Sequence, residues 1–402
     1  MVWTVAGLYL SAIVLLHLPA VQGFLARKTA GAAGRKLGTE VRVGRIDLGV
    51  FNRFVLDDVL IYDQQKKRML SASRIGAKVD LWHLLRTGEI DISSAQVFGL
   101  KADFYKTDRN ARPNFQFALD SLASKDTTAH TPLHLSINSL VVRHGSIRYD
   151  RLDAPRTPGR LNPDHIDVRG LSGHLILRRL EDTAVRAVLR TLAFREAAGL
   201  EVRQLGFSLE ADRRHASLHG FRLETPASRI ALKELSAGYR MKRGRPDGST
   251  LHYAVRGFKA TVTPADFAAL LPALRPFTTA CEASLEAQGT RRSLRIESLS
   301  VADRTLATQV RAKGRIRHLD TRPAWDISFT PLRISRPMIL RIAQALRQPL
   351  PKPLESLGGI FYHGSFAHAT GRYSAKGLLR TGAGDIRLTA AVQGKNVRAS
   401  VR

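Results

Sequence analysis

The strongest constraint on the fold is a period of two that runs through the second half of the chain and slips by one residue at intervals. Leu205, Phe207 and Leu209 alternate with more polar neighbours, as do Leu251, Tyr253 and Val255, and again Trp325, Ile327 and Phe329. Elsewhere the phase shifts once: Ile230 and Leu232 give way to Leu235, Ala237 and Tyr239, and Leu294 and Ile296 to Leu299 and Val301. Successive side chains of a strand point to opposite faces, so these segments are strands with one apolar and one charged face, often with Arg outward. A slip of one residue turns every later side chain to the wrong face unless the strand bulges there, so the slips predict β-bulges.

The same alternation appears at Leu133, Leu135 and Ile137, slips, and resumes at Leu140 and Val142; Ile147 and Tyr149 then read as a return strand after Gly145. It returns at Ile386, Leu388, Ala390 and Val392 and is still running at Arg402, which reads as a fragment of a longer protein. Three helical interruptions are expected in this half. One spans about Thr183 to Ala198, one begins at Thr263 with Pro264 at the first helical position and Asp266 near the exposed amides, and one covers Pro337 to Leu346.

Before this region the chain is more varied. From Glu40 the period is again two, through Val41, Val43 and Ile46, and Phe54–Leu56 and Val59–Tyr62 read as a strand pair separated by Asp57 and Asp58. One helical turn is expected at Leu81–Leu85, stopped by Gly88, then a strand from Ile90 to Leu100 continuing through Phe104 and Tyr105, and a short helix from Asn114 to Leu122. The tract ASKDTTAHT, Ala123 to Thr131, has linker composition. The expected organisation is therefore an anchor at residues 1–26, a β-rich unit at 27–122, a linker at 123–131 and an extended sheet at 132–402.

The anchor is the stretch Val2 to Ala26, which has no Asp, Glu, Lys or Arg; its apolar core, Val2 to Val21, is followed at once by Arg27 and Lys28. About 20 helical residues cover ~30 Å, the hydrocarbon thickness of a bilayer. A cleaved signal peptide calls for a basic leader, and none stands before Val2. The basic residues after the run favour cytoplasmic retention of that side by the positive-inside rule, a conflict that a longer leader before Met1 removes. Pro19 to Leu37 reads as a helix riding the membrane surface.

The chain holds 63 Lys+Arg against 34 Asp+Glu, a net charge of +29, which favours anionic partners. The charge is spread along the sequence, with only modest clusters such as Arg240, Lys242, Arg243 and Arg245, and aromatic residues are 7%, mostly on the apolar side of strands. That distribution speaks against nucleic acid. The single Cys281 excludes an intramolecular disulfide.

Catalytic signatures are absent. Gly31 to Lys36 has the wrong spacing for a phosphate loop, Gly364-Ser365 lacks the glycines of a nucleophile elbow, and Gly382 and Gly384 form a bare GxG. The pairs His130/His134 and His215/His219 sit in strand or linker sequence, where i and i+4 are ~13 Å apart, and neither has a third ligand nearby. Asp57 and Asp58 are neighbours on a strand and point apart, so they read as strand-edge chemistry. No enzymatic activity, cofactor or metal is expected.

The runs LPAVQGFLARK (Leu18–Lys28), LGTEVRVGRIDLGVFNRFVLDDVLIYDQQKKRMLSASRIGAKVDL (Leu37–Leu81), GEIDISSAQVFGLKADFYK (Gly88–Lys106) and NFQFALDSL (Asn114–Leu122), in that order, resemble the amino-terminal part of the TamB family of the Bacteroidetes type. These are the inner-membrane subunits of the translocation and assembly module, grouped with the AsmA-like proteins. The resemblance implies a mainly β fold: an N-terminal transmembrane helix, then an elongated, curled, antiparallel-type sheet forming an open trough, with few short helices. It also implies an inner-membrane location with the body in the periplasm of a Gram-negative bacterium, phospholipid carried in the trough toward the outer membrane, and an outer-membrane barrel partner of the TamA type. The family's carboxy-terminal domain is not visible in this sequence.

An apolar sheet face must be buried, against a second sheet or against something apolar, and each CH2 removed from water is worth about 0.8 kcal/mol. The candidate lining residues are Leu205, Phe207, Leu209, Ile230, Leu232, Leu251, Tyr253, Val255, Ile327 and Phe329. A closed β-sandwich or solenoid needs the same alternation, so the sequence leaves both open. Two other functions fit the sequence: a scaffold for outer-membrane protein assembly without lipid, and a basic polyanion-binding protein.

Overall fold

The computed structural model describes residues 19–49, 53–79, 92–122, 135–181, 184–242, 244–348, 358–382, 384–393 and 396–401. Most of the apolar run at the amino terminus, the helical turn expected at Leu81–Leu85 and the tract Ala123–Thr131 lie outside these residues. Among the described residues no helix is long and apolar enough to cross a membrane.

The fold is mainly β and divides into two compact units, residues 1–182 with 186–201, and residues 183–185 with 202–402. The first begins with helix α1 (Pro19–Leu37), as expected, whose buried Ala26 and Ala30 let it lie close against the strands β1 (Val41–Arg42) and β2 (Arg45–Gly49). Both pair antiparallel with β3 (Arg53–Tyr62), and β3 with β4 (Arg68–Val79). Between β4 and the long β7 (Leu135–Arg151) lie β5 (Ile92–Phe98) and β6 (Lys101–Lys106), in effect one strand broken at Gly99. The short helix α2 (Gln116–Leu122) falls in the connection that follows, within the expected Asn114–Leu122. β7 then pairs antiparallel with β8 (His165–Glu181), alongside which runs β9 (Ala184–Glu196).

Four local readings of the first unit need correction. Phe54–Leu56 and Val59–Tyr62 are one strand, not two: Asp58 takes a left-handed conformation (φ 53°), yet the pairing of β3 with β4 keeps its register past it, from Asp57 opposite Arg74 to Val59 opposite Ala72. Gly145 does not begin a return strand; with His144 at φ 53° it sits in a bulge, and β7 runs on through Ile147 and Tyr149. Both β5 and β6 are parallel to β7, so the sheet is mixed here; the connection from Thr107 onward, with α2 in it, has the length that a parallel crossover requires. That pairing also joins strands on either side of the Ala123–Thr131 tract within one unit. Where a helix is expected at about Thr183–Ala198, the described residues form a strand: β9 lies against β8, with Leu192 Cδ1 3.2 Å from where a Cβ on Gly173 would stand. Its Ala, Leu and Arg content is helix-forming, but lateral pairing overrides intrinsic propensity.

The second unit is an antiparallel run of sequential neighbours. Its strands are β10 (Glu201–Val202, at the boundary), β11 (Gln204–Ala211), β12 (His215–Glu224), β13 (Arg229–Lys242), β14 (Arg245–Val262), β15 (Cys281–Thr290), β16 (Ser293–Asp303), β17 (Thr308–Arg317), β18 (Ala324–Ile334), β19 (Ile360–Ala369), β20 (Arg372–Thr381), β21 (Gly384–Gln393) and β22 (Asn396–Val401). From β11 onward each pairs with the next. Two insertions interrupt it. Between β14 and β15, where the sequence suggests a helix from Thr263, the chain makes two 3-10 turns, Pro264–Phe267 and Pro272–Leu274. Thr263 gives no side-chain cap to the first turn. Between β18 and β19 the expected helix is present as α3 (Arg336–Leu346), with Ser335 capping the Met338 amide at 3.4 Å and Arg347 closing it in the left-handed conformation.

Candidate functional site

Cross-strand partners share a face of a sheet, so the register of the second unit shows where its apolar residues go. They form four rows across β11 to β21. The first holds Leu205, Leu223, Ile230, Ala260, Ala283, Val301, Val310, Leu332, Tyr362, Leu379 and Ile386. The second holds Phe221, Leu232, Phe258, Leu285, Leu299, Ala312, Phe329, Gly364, Gly377 and Leu388. The third runs from Leu209, Leu218, Leu235 and Val255 through Ala287, Ile296, Gly314 and Ile327 to Phe366, Ala375 and Ala390. The fourth includes Ala237, Tyr253, Gly289, Leu294, Ile316, Trp325, His368, Tyr373 and Val392.

The rows stay on one face only because the strands bulge between them. Leu232 and Leu235, Val255 and Phe258, Ile296 and Leu299, and Phe329 and Leu332 are each three residues apart, a spacing that on a regular strand places the two on opposite faces. Register shifts fall between Val255 and Phe258, Ile296 and Leu299, and Phe329 and Leu332, and Gly220 and Gly257 take φ of 60° and 64°. At Gly257 the bulge frees a backbone amide, which donates to Glu286 Oε1 at 2.7 Å. A line of bulges bends the sheet along the line.

Of the nominated residues, Leu205 and Ile230 stand in the first row, Leu232 and Phe329 in the second, Leu209, Val255 and Ile327 in the third and Tyr253 in the fourth. Phe207 lies within the shift between Gly206 and Ser208, on the strand next to Phe221. Leu251 is outside the rows, where the pairing of β13 with β14 jumps from His252 to Asp247. Sequence reasoning missed the continuation through β15, β17, β19 and β20, where Ala and Gly replace large residues. The glycines have a reason that only register reveals: a Cβ on Gly289 would stand 2.8 Å from Tyr253 Oη, and one on Gly364 2.8 Å from Tyr362 Oη. Gly289 seats a ring from the neighbouring strand β14, and Gly364 the ring of Tyr362, two residues before it on β19. Tyr362 is held there by donating to the carbonyls of Ser365 and Lys376 at 2.8 and 3.1 Å. The rings of Trp325, Phe329, Tyr362, Phe366, His368 and Tyr373 form one chain of contacts along this face.

This face lacks the burial of a sealed core. Of the large apolar residues in the four rows only Tyr362 is buried, at 3% exposure; Leu235, Phe366 and Tyr373 are exposed at 37%, 38% and 50%. The other buried row members are alanines: Ala260, Ala287, Ala312 and Ala375.

The opposite face is charged with both signs. Arg333 and Arg380 flank the Phe361 ring, each 5.7 Å from its centroid, and Arg380 pairs with Asp385 at 2.9 Å. Two concavities open on it, one of about 530 Å³ lined by Arg222, Ala231, Lys259 and Ser284, and one of about 670 Å³ lined by His252, Arg256, Arg295 and Arg315. Arg256 and Arg295 are already engaged by Glu234 and Glu297 at 3.6 and 2.8 Å. His215 and His219 lie on β12, both exposed, and among the described residues no cluster of His, Cys, Asp or Glu has the makings of a metal site. Burial first, and the Asp303 carboxylate second, push the Cys281 thiol pKa up, away from a reactive thiolate.

Compared with protein-family models, curated proteins and solved structures, the chain finds no match in any of the three.

Proposed function

We propose that the chain is a membrane-anchored lipid carrier of the TamB or AsmA-like type, held by the apolar run near its amino terminus in the inner membrane. Its body in the periplasm offers the four apolar rows as an open groove for phospholipid acyl chains moving toward the outer membrane, where a barrel protein of the TamA type is the partner. No catalysis is involved.

The observation that carries this reading is the half-exposed state of the large row residues. A sandwich would bury Leu232, Phe258, Leu285 and Ile327 under a second layer, whereas they are only half-buried and the large members at Leu235 and Phe366 are exposed. Acyl chains laid along such a face gain about 0.8 kcal/mol for each CH2 taken from water, and the rows need no specific polar contact to hold them. The resemblance of residues 18–122 supplies the anchor, compartment and partner.

Mass spectrometry of lipid extracted from the full chain, purified in mild detergent, tests it. Bound phospholipid in near-stoichiometric amounts is expected, falling several-fold in the double variant Leu232→Glu/Phe258→Glu when that variant keeps its circular dichroism spectrum. A folded wild-type chain that carries no phospholipid and takes none from donor vesicles overturns the reading.

A further inference from the structure

The two insertions of the second unit meet at one end of its strands. Asp266 clamps the first of them to the β12–β13 turn: its carboxylate accepts from Thr225 Oγ1 at 2.5 Å, Ser228 Oγ at 2.7 Å and the Ala227 amide at 3.0 Å. Thr279, at the insertion's far end, donates to Asp303 Oδ2 at 2.5 Å and accepts from Arg341 of α3 at 3.5 Å. The helix also packs on the 3-10 turn Pro272–Leu274. Two elements without β-pairing are thus fixed side by side.

What they present outward is apolar. Leu270 and Leu271 are 45% and 54% exposed, and on α3 Leu340 and Leu346 are 48% and 65% exposed. Around them stand Arg275, Arg336, Arg341 and Arg347. Of the carboxylates described at this end, Asp266 and Asp303 are turned inward to the hydrogen bonds above and the exposed Glu282 is engaged by Arg304 at 3.2 Å; α3 itself has no acidic residue. Exposed leucines ringed by arginines, with the nearby carboxylates turned inward or ion-paired, match the boundary of an anionic bilayer, where leucine enters the acyl region and guanidinium meets phosphate.

We propose that this end of the second unit, residues 264–275 with α3, docks on the surface of an anionic phospholipid bilayer and inserts Leu271 and Leu346 below its headgroups. This contact is additional to the amino-terminal anchor. It goes beyond the groove reading and does not depend on it, since a folded rim binds a bilayer whether or not the sheet carries lipid.

The test uses the full chain with Cys281→Ser and one new cysteine, L271C or L346C, carrying an environment-sensitive nitrobenzoxadiazole label. The control is T321C, in the turn at the opposite end of β18, ~35 Å of strand away. Vesicles of phosphatidylglycerol and phosphatidylethanolamine with doxyl groups on the tails are expected to shift emission at 271 and 346 to the blue and quench it several-fold more than at 321. Arg336→Glu/Arg347→Glu or raised salt weakens the effect. Emission at 271 and 346 no more quenched than at 321, on chains that float with the vesicles, overturns the proposal. Equal quenching in phosphatidylcholine vesicles overturns its anionic part. Extracted lipid, measured separately on detergent-purified protein, reports on the groove alone.

Discussion

Glu286 performs a task that usually falls to backbone. Its carboxylate takes the Gly257 amide that the bulge in β14 removes from the ladder, so the irregularity leaves no unpaired donor. Glu286→Ala is expected to destabilise the second unit by about 1.5–3 kcal/mol, the usual cost of losing a hydrogen bond to a charged group, while Glu286→Gln keeps most of it. Urea titrations of the three proteins measure this. Asp63 plays a comparable part in the first unit. It is 2% exposed, and its carboxylate accepts from the amides of Gln65 and Lys67 at 2.8 and 2.9 Å and from Tyr105 Oη at 2.9 Å. Burial alone raises its pKa, but the amide of Lys67, the Tyr105 hydroxyl, the amide of Gln65 and Asn114 together win and hold it below the ordinary carboxylate value. Its stabilisation is therefore complete above the unfolded value of about 3.9 and is lost as pH falls through the folded one. Tyr105 behaves oppositely. Burial, then the hydrogen bond to Asp63, raises its phenol to about 12. The unfolded phenol ionises near pH 10, so stability drops between about pH 10 and pH 12, and Tyr105→Phe should remove that part of the alkaline slope in thermal melts.

At the scale of elements the chain's slips in phase and its bulges are the same fact. Gly257 has φ 64°, and a Cβ on it would stand 2.7 Å from Lys233 Cβ, so Gly257→Val strains the backbone and crowds the next strand. A loss of about 1–3 kcal/mol is expected from the backbone alone, read as a lower melting temperature. Most strands were legible because one wet and one apolar face leave an alternation in the sequence, and α3 because serine, proline and an apolar run mark its start. The errors have a common cause. A left-handed residue can close a tight turn or sit inside a strand that runs on, so His144-Gly145 and Asp57-Asp58 give the same signal in either case. The β9 segment carries Ala184, Ala187, Leu189 and Leu192, residues content in a helix, and only the presence of β8 beside it decides otherwise. The parallel placement of β6 against β7 is likewise a long-range fact with no local mark. Eight of the ten nominated lining residues fall in the rows, whereas Gly289 and Gly364, which seat Tyr253 and Tyr362, cannot be recognised without the register.

For the whole molecule the question is whether the apolar face of the second unit is occupied by the chain or by lipid. A sheet with one apolar face that is half-exposed over β11 to β21 is a state that water disfavours, and a fatty guest relieves it. The alternation itself supplies the most direct test. Photo-crosslinking amino acids placed at Leu232, Phe258 and Ile327 sit on the rows, and those at Ala231, Lys259 and Ser328, one residue away on the same strands, sit on the charged face. Irradiation in cells followed by mass spectrometry should give phospholipid adducts at the first three positions and not at the second three. Adducts at neither set, or equally at both, contradict an apolar groove that carries lipid.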